Sequence, residues 1–239
     1  MKKKIVIISL FFFISALNAQ VIKSIQVGAD YSMTLNERIN VENIDAVGGI
    51  LKINFGLYEN LSFSFAGGYK LYSISQTNQL LGWGWVFWND RYLNKIESDI
   101  KADPNLSVEI GSVQKMDVIP AIITFDYQID LTEKLRLTPI AGGGIYFYTK
   151  RLYAKETWTK QFPKENYSFT YTFRNFAPNK KGNPFVILGG FNLNYNFTEG
   201  FGLNGEVLYS QVLSAENMGF AEFPFDNELS LKLGLTINY

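Results

Sequence analysis

The chain of 239 residues contains neither cysteine nor histidine. Without cysteine there is no disulfide framework, no thiol catalysis, no cysteine-linked lipid anchor and little scope for zinc. Without histidine, Ser-His hydrolase and acyltransferase chemistry and the usual nitrogen metal sites are excluded. Lys plus Arg and Asp plus Glu each number 22, so the net charge is zero. No basic cluster stands beyond the first few residues, and a nucleic-acid partner has no support. Long apolar runs are missing too. Past residue 19 the longest is Val118 to Phe125, far short of the ~20 residues a spanning helix needs. What remains is carboxylate chemistry. Glu97, Asp99 and Asp103 match no calcium-loop spacing and read as a solvated polar face. No cofactor is implied.

The start of the chain reads as an export leader. Lys2, Lys3 and Lys4 form a basic segment, Ile5 to Ala16 an apolar one, and Leu17-Asn18-Ala19 ends on a small residue. This predicts cleavage before Gln20, leaving 20–239 as one domain.

Aromatic content is 16%, with 14 Tyr and 20 Phe, which favours strands and membrane interfaces. The pattern agrees. From Leu229 to Tyr239, Leu229, Leu231, Leu233, Leu235, Ile237 and Tyr239 alternate with Ser230, Lys232, Gly234, Thr236 and Asn238. A period of two marks a strand with one greasy and one wet face. The same alternation recurs at 24–33, 47–57, 61–71, 119–128, 135–147, 185–196 and 201–210. With the last strand this makes about eight, the smallest number that closes an outer-membrane barrel. Pro120 and Pro139 fall inside strand patterns, where a missing N–H predicts bulges or weakened ladders.

Connections alternate in length. Tyr58 to Asn60, Asp130 to Lys134 and Thr198 to Gly200 are tight turns. Thr34 to Asp45, Ile74 to Gln114, Thr149 to Gly182 and Val212 to Asp226 read as long polar loops. The fold class is therefore an all-β, eight-stranded antiparallel up-and-down transmembrane barrel, with short periplasmic turns and long extracellular loops. A soluble barrel of the same pattern fails on packing. Turned inward, the Leu, Phe and Tyr of every strand would overfill an eight-stranded interior.

With the bulky residues facing lipid, the lumen receives Asp30, Lys52, Lys70, Asp126, Arg136, Glu206 and Lys232. Charges so enclosed must pair or stay hydrated. Mixed signs in a narrow barrel predict a salt-bridged plug, with Glu206 paired to Arg136, Lys232 or both. The sharper alternative is a gated ion or proton path along Glu206, Arg136 and Lys232. In the second outward loop, Leu80 to Trp88 holds Trp83, Trp85, Phe87 and Trp88, with three of the four tryptophans. Such clusters mark contact with a protein, a glycan or headgroups; otherwise the loop buries its own aromatics over the barrel mouth. Arg91 to Lys101 reads as a short helix, and Ser168 to Phe173 as a hairpin extending the strands.

The leader, the repeated two-residue period and the closing Leu-Lys-Leu-Gly-Leu-Thr-Ile-Asn-Tyr together resemble the small outer-membrane β-barrel family of Gram-negative bacteria, porin-like or OmpA- and OmpX-like, of Bacteroidetes type. The resemblance implies an outer-membrane location and contact with outer-membrane lipid. It also implies that Leu233, Leu235, Ile237 and Tyr239 form the signal read by the barrel-assembly machinery. It points to a structural or surface-interaction role, with a surface protein or glycan as partner. A narrow solute channel, or an accessory part of a secretion or uptake complex, is the alternative. Enzymatic action on envelope lipids ranks last, because the histidine on which several lipid-modifying relatives depend is absent.

Overall fold

The computed structural model describes residues 22–37, 41–213 and 220–239, without the side chains of 36–37, 41–43 and 220. The leader and its cleavage site lie outside the described residues. Strands β1 (Ile22–Glu37), β2 (Val41–Tyr58), β3 (Leu61–Gln76) and β4 (Leu106–Tyr127) follow one another as antiparallel neighbours. The two-residue β5 (Ile129–Asp130) leads into β6 (Leu135–Phe162), followed by β7 (Tyr167–Phe176) and β8 (Lys180–Gly182). Then β9 (Phe185–Asn196), β10 (Phe201–Val212) and β11 (Phe225–Asn238) complete the chain. β1 pairs with β11, and β4 with β6. Eight strands thus close into a ring with every member paired on both sides, which removes the sheet edge.

The two-residue period explains the closure. Along the eight ring strands the even-numbered side chains turn inward and the odd-numbered ones outward, except at the start of β11, where Phe225 and Asn227 are buried. Along β10, Phe201 and Tyr209 flank Leu203 and Val207; along β9, Phe185 and Tyr195 flank Ile187 and Leu193, all exposed. An apolar band with aromatic ends is what a lipid-facing barrel wall requires. Neither proline makes a bulge. The β4–β6 and β6–β9 ladders run through Pro120 and Pro139 without a register shift. The β3–β4 ladder skips from Gly67–Ala121 to Lys70–Val118 and resumes in the same register. Each strand N–H points to one neighbour only, so the cost of Pro120 falls on its β3 side.

The expected long loops are largely ordered structure. β6 is a single strand of 28 residues. Its lower part pairs with β9, its middle with β8 and its upper part with β7. β4 follows it up to the Leu106–Lys160 pair. The result is a three-stranded sheet standing above the barrel. Thr, Lys and Glu dominate this stretch, and that polarity reads as loop although the backbone remains extended. Asn166, at φ 46°, sits in the tight turn between β6 and β7, a conformation asparagine tolerates well. The second loop holds short helical turns at Gln79–Gly82 and Phe87–Tyr92 and the helix Leu93–Ala102, where a helix over Arg91 to Lys101 is expected.

Candidate functional site

The inward face contains two ion clusters. In the lower one, Lys52 Nζ lies 2.9 Å from Asp126 Oδ2 and 3.3 Å from Glu206 Oε2, while Lys232 Nζ lies 2.7 Å from Glu206 Oε1. Ser64 donates to Asp126, and Thr124 Oγ1 does so at 2.7 Å. In the upper one, Lys70 Nζ lies 3.2 Å from Asp30 Oδ2 and 2.8 Å from Glu228 Oε1, and donates to the hydroxyls of Ser32 and Ser230. All these charged groups are buried. Shared partners and added hydroxyl donors offset the cost of burying them.

Arg136 stands apart from both clusters. Its guanidinium pairs with Asp130 at 2.9 Å, half-exposed beside the short turns. Its even number gives the correct face, but its place near the start of β6 puts it at the mouth, below Glu206. Of the two partners expected for Glu206, Lys232 is in place and Arg136 is not, and Lys52 takes the other carboxylate oxygen.

Glu228 is the residue that sequence reasoning misses. It accepts hydrogen bonds from Lys70, from Tyr146 OH at 2.7 Å, and from Tyr72 OH. It lies just before the clean alternation, where the β1–β11 register shifts between Thr34 and Glu37. Its even number is the available signal. Nor is the outer half of the lumen polar as expected. Met116, Val118 and Tyr148 fill it, together with Phe223 and Phe225 from the fourth outward segment, while Ile122, Ile140 and Leu188 face the same space as Lys52, Lys70 and Glu206.

The aromatic cluster of the second loop is not an open binding surface. Trp83, Trp85 and Trp88 are 6%, 7% and 2% exposed, and only Phe87 of the four lies open, at 45%. They pack with Ile96 on Leu152, Ala154 and Trp158, which are inward-side residues of β6 above the barrel. Trp83 Nε1 donates to the Pro178 carbonyl at 3.0 Å. Within this cap, the wholly buried Glu156 accepts from Trp158 Nε1 at 2.8 Å, Asn175 Nδ2 at 2.6 Å and Tyr92 OH at 3.1 Å. The face made by the even-numbered residues of β4 and β6 and the odd-numbered residues of β7 is largely apolar and has no lipid to meet, so it draws the loop onto itself.

The exposed aromatic row continues the same face toward the β6–β7 turn. Tyr167, Phe169 and Tyr171 on β7, with Phe162 at the end of β6, are 38–56% exposed. Phe162 and Tyr167 approach to 6.0 Å and Phe169 and Tyr171 to 5.7 Å between ring centroids. Among the described residues, β7 pairs only with β6, leaving its outer edge unpaired.

Above the apolar band, Glu222 receives Lys180 Nζ at 2.9 Å on both oxygens and Lys150 Nζ at 3.4 Å. Burial alone would raise its carboxyl, but the hydrogen bond from Lys180 and the charges of both lysines hold it below the usual carboxylate range. Glu97 and Asp99 pair with Lys101 and Lys95 along their helix, and Asp103 pairs with Lys160. Among the described residues, no group of three or more acidic side chains could hold a metal ion.

A closed antiparallel ring, an apolar outer wall with aromatic ends and an ion-paired interior define the fold of the small outer-membrane β-barrels. No protein-family model and no curated protein sequence matches the chain. Several solved structures are similar in fold. The attachment invasion locus protein Ail of Yersinia pestis is 11% identical, with 92% of this chain and 99% of that one covered, at a TM-score of 0.41. Neisserial surface protein A is 10% identical over 90% and 96%, also at 0.41. A major outer membrane protein from Thermus thermophilus is 9% identical over 90% and 99%, at 0.45.

Proposed function

We propose that the chain is an integral outer-membrane protein of a Gram-negative bacterium, a single-domain barrel of Bacteroidetes type exported by the leader 1–19, that works as a surface-interaction protein without catalysis. The observation that carries this reading is the exposed row Phe162, Tyr167, Phe169 and Tyr171 on a strand with a free edge, held above the barrel. Unsatisfied strand edges and solvent-facing aromatics in one place favour a partner that covers both. A surface protein or a glycan offers that cover. The odd-numbered wall contacts membrane lipid, and Leu233, Leu235, Ile237 and Tyr239 on its last strand present the signal to the assembly machinery. The ion-paired, apolar-capped lumen argues against a permanently open pore.

Replacing Tyr167, Phe169 and Tyr171 together with Ser tests the reading. The variant is expected to keep heat-modifiable migration on gels and its membrane abundance. It should lose binding in a screen of immobilised glycans, and cross-linking to neighbouring surface proteins on whole cells. Unchanged binding and cross-linking would overturn the proposal.

A further inference from the structure

The lumen changes character along its length. Toward the short turns, Asn192 Nδ2, Asn194 Oδ1, Asn204 Oδ1 and Thr236 Oγ1 are buried without a protein partner. The opening there is a cavity of about 700 Å³ bounded by Gln128, Lys134, Arg136, Asn196 and Asn238. Buried amides so placed call for water as their partner, and the inner half is polar throughout. In the middle, three ammoniums (Lys52, Lys70, Lys232) face four carboxylates (Asp30, Asp126, Glu206, Glu228), a surplus of one negative charge. That balance attracts cations and repels anions.

The outer end is closed differently. Phe223 follows the single 3₁₀ turn Phe220–Glu222, outside any strand, and is wholly buried. Its ring meets Phe225 at 4.6 Å, Tyr148 at 5.2 Å and Tyr146 at 6.3 Å, directly over the Lys70–Glu228 cluster. The adjacent Glu222 ties this segment to β6 through Lys150 and to β8 through Lys180. Lys150 Nζ also donates to the Glu222 carbonyl at 2.9 Å. Glu222 itself is only half-buried, so this clamp is open to solvent while the ring it holds is not.

We propose that residues 220–225 form a removable stopper on a cation-favouring lumen, sealed by Phe223 and latched by Glu222 on Lys150 and Lys180. The barrel wall does not depend on the latch. The β10–β11 ladder runs from Phe201–Ile237 to Gln211–Asn227, and the β1–β11 ladder reaches the segment only at its last pair, Glu37–Phe225, beyond a register shift, so Phe223 and Glu222 can leave their seats while the ring stays closed. This goes beyond the surface-binding role, which rests on β7 and needs no access to the lumen.

The cysteine-free chain permits a direct test. Ser230→Cys and, separately, Ser210→Cys place one thiol beneath the stopper, since both serines are buried on the lumen face. In proteoliposomes with the outward segments facing the bath, each thiol is treated with membrane-impermeant methanethiosulfonates of similar size, one cationic and one anionic. With Glu222 intact, modification should be slow. Glu222→Gln should speed modification at least tenfold, and Phe223→Ala, which keeps Glu222 on Lys150 and Lys180, should speed the cationic reagent at least as much, with the anionic reagent lagging. Heat-modifiable migration confirms that each variant retains the barrel. Equal rates with and without the latch in both reporters, or a preference for the anionic reagent in Phe223→Ala, would overturn the stopper. Loss of surface binding in the β7 variant leaves these rates unchanged, so the two proposals fail separately.

Discussion

Glu206 and Lys232 are direct cross-strand partners on β10 and β11, and the ammonium lies 2.7 Å from the carboxylate on the inner face of the barrel. Lys52 reaches the other oxygen of Glu206 from β2, on the far side of β1 and β11. One carboxylate therefore joins strands that share no ladder.

Breaking that junction has an asymmetric cost. Glu206→Gln leaves Lys232 buried without its counter-ion, a loss of about 3–5 kcal/mol for a broken buried pair. Glu206→Gln with Lys232→Met should recover a substantial part of it. Arg136→Gln should add independently to Glu206→Gln, because Arg136 is engaged with Asp130. Denaturant titrations of the refolded barrel read all three. Coupling between Arg136 and Glu206 would contradict the geometry.

The outward face of β11 gives a second test. Leu233 is 73% exposed on the apolar wall, and an arginine there costs about 2–4 kcal/mol if the position lies near the bilayer midplane. Leu233→Arg should fail to reach the folded, heat-modifiable form, whereas Thr236→Ser on the inner face should assemble. Normal assembly of the Leu233 variant would show that lipid does not cover this wall.

Two adjacent glycines on β9 should differ sharply. A Cβ on Gly190 would stand 2.0 Å from the Val207 carbonyl oxygen, whereas one on Gly189 finds its nearest neighbour, the Ile140 oxygen, at 3.6 Å. Gly190 faces the lumen, directly against the β10 backbone at Val207 and Leu208. Gly190→Ala should lower the unfolding midpoint by an amount typical of overpacking, about 1–3 kcal/mol. Gly189→Ala should be nearly neutral, and comparable losses at both sites would argue against this close approach.

The second outward loop is predicted to be a folding element. Trp88→Ala removes a wholly buried ring, a loss of about 3–5 kcal/mol to the cap. Limited proteolysis should then cut the helix Leu93–Ala102 and its flanks while the barrel remains intact. An uncut loop that instead loses surface binding would restore Trp83, Trp85, Phe87 and Trp88 as the working surface.

Acid should release the fourth segment. Because the folded carboxyl of Glu222 titrates below its unfolded value of 4.5, its contribution is fully present above that pH and is lost as pH falls through the lower folded value. Pepsin, active in that range, should begin to cleave at 220–225 as the pH drops below about 4.5. In Glu222→Gln the same site should be open at every pH where pepsin works. Identical profiles would mean that the lysine clamp holds nothing.

The ring is legible because its sequence obeys one rule: a strict period of two fixes which residues face inward before any contact is known. Asp30, Lys52, Lys70, Asp126, Glu206 and Lys232 follow from parity alone. Parity gives a face but not a height, which is why it sets Arg136 beside Glu206. The rule lapses where the β1–β11 register shifts, so odd-numbered Phe225 and Asn227 are buried, and Glu228, the last residue of β11 that still obeys it, stands at that margin outside the clean alternation. Above the membrane the wall no longer has to be greasy. Residues 149–162 therefore conceal a strand behind polar side chains, and the tryptophans that pack on it read as exposed.

β6 enters the barrel at Leu135 and ends at Phe162 without a break, a span of roughly 90 Å at about 3.3 Å per residue. The tip of the projecting sheet and the floor of the lumen are therefore parts of one backbone. A partner pulling on Phe169 would not meet a hinge. The tension would run down β6 and be shared in shear by the hydrogen bonds to β4, which accompany it from Lys160 to Ile140. Ladders loaded along the strand resist together, whereas those peeled from an end give way one bond at a time. A load applied at the tip of the sheet is thereby borne by the whole β4–β6 ladder at once.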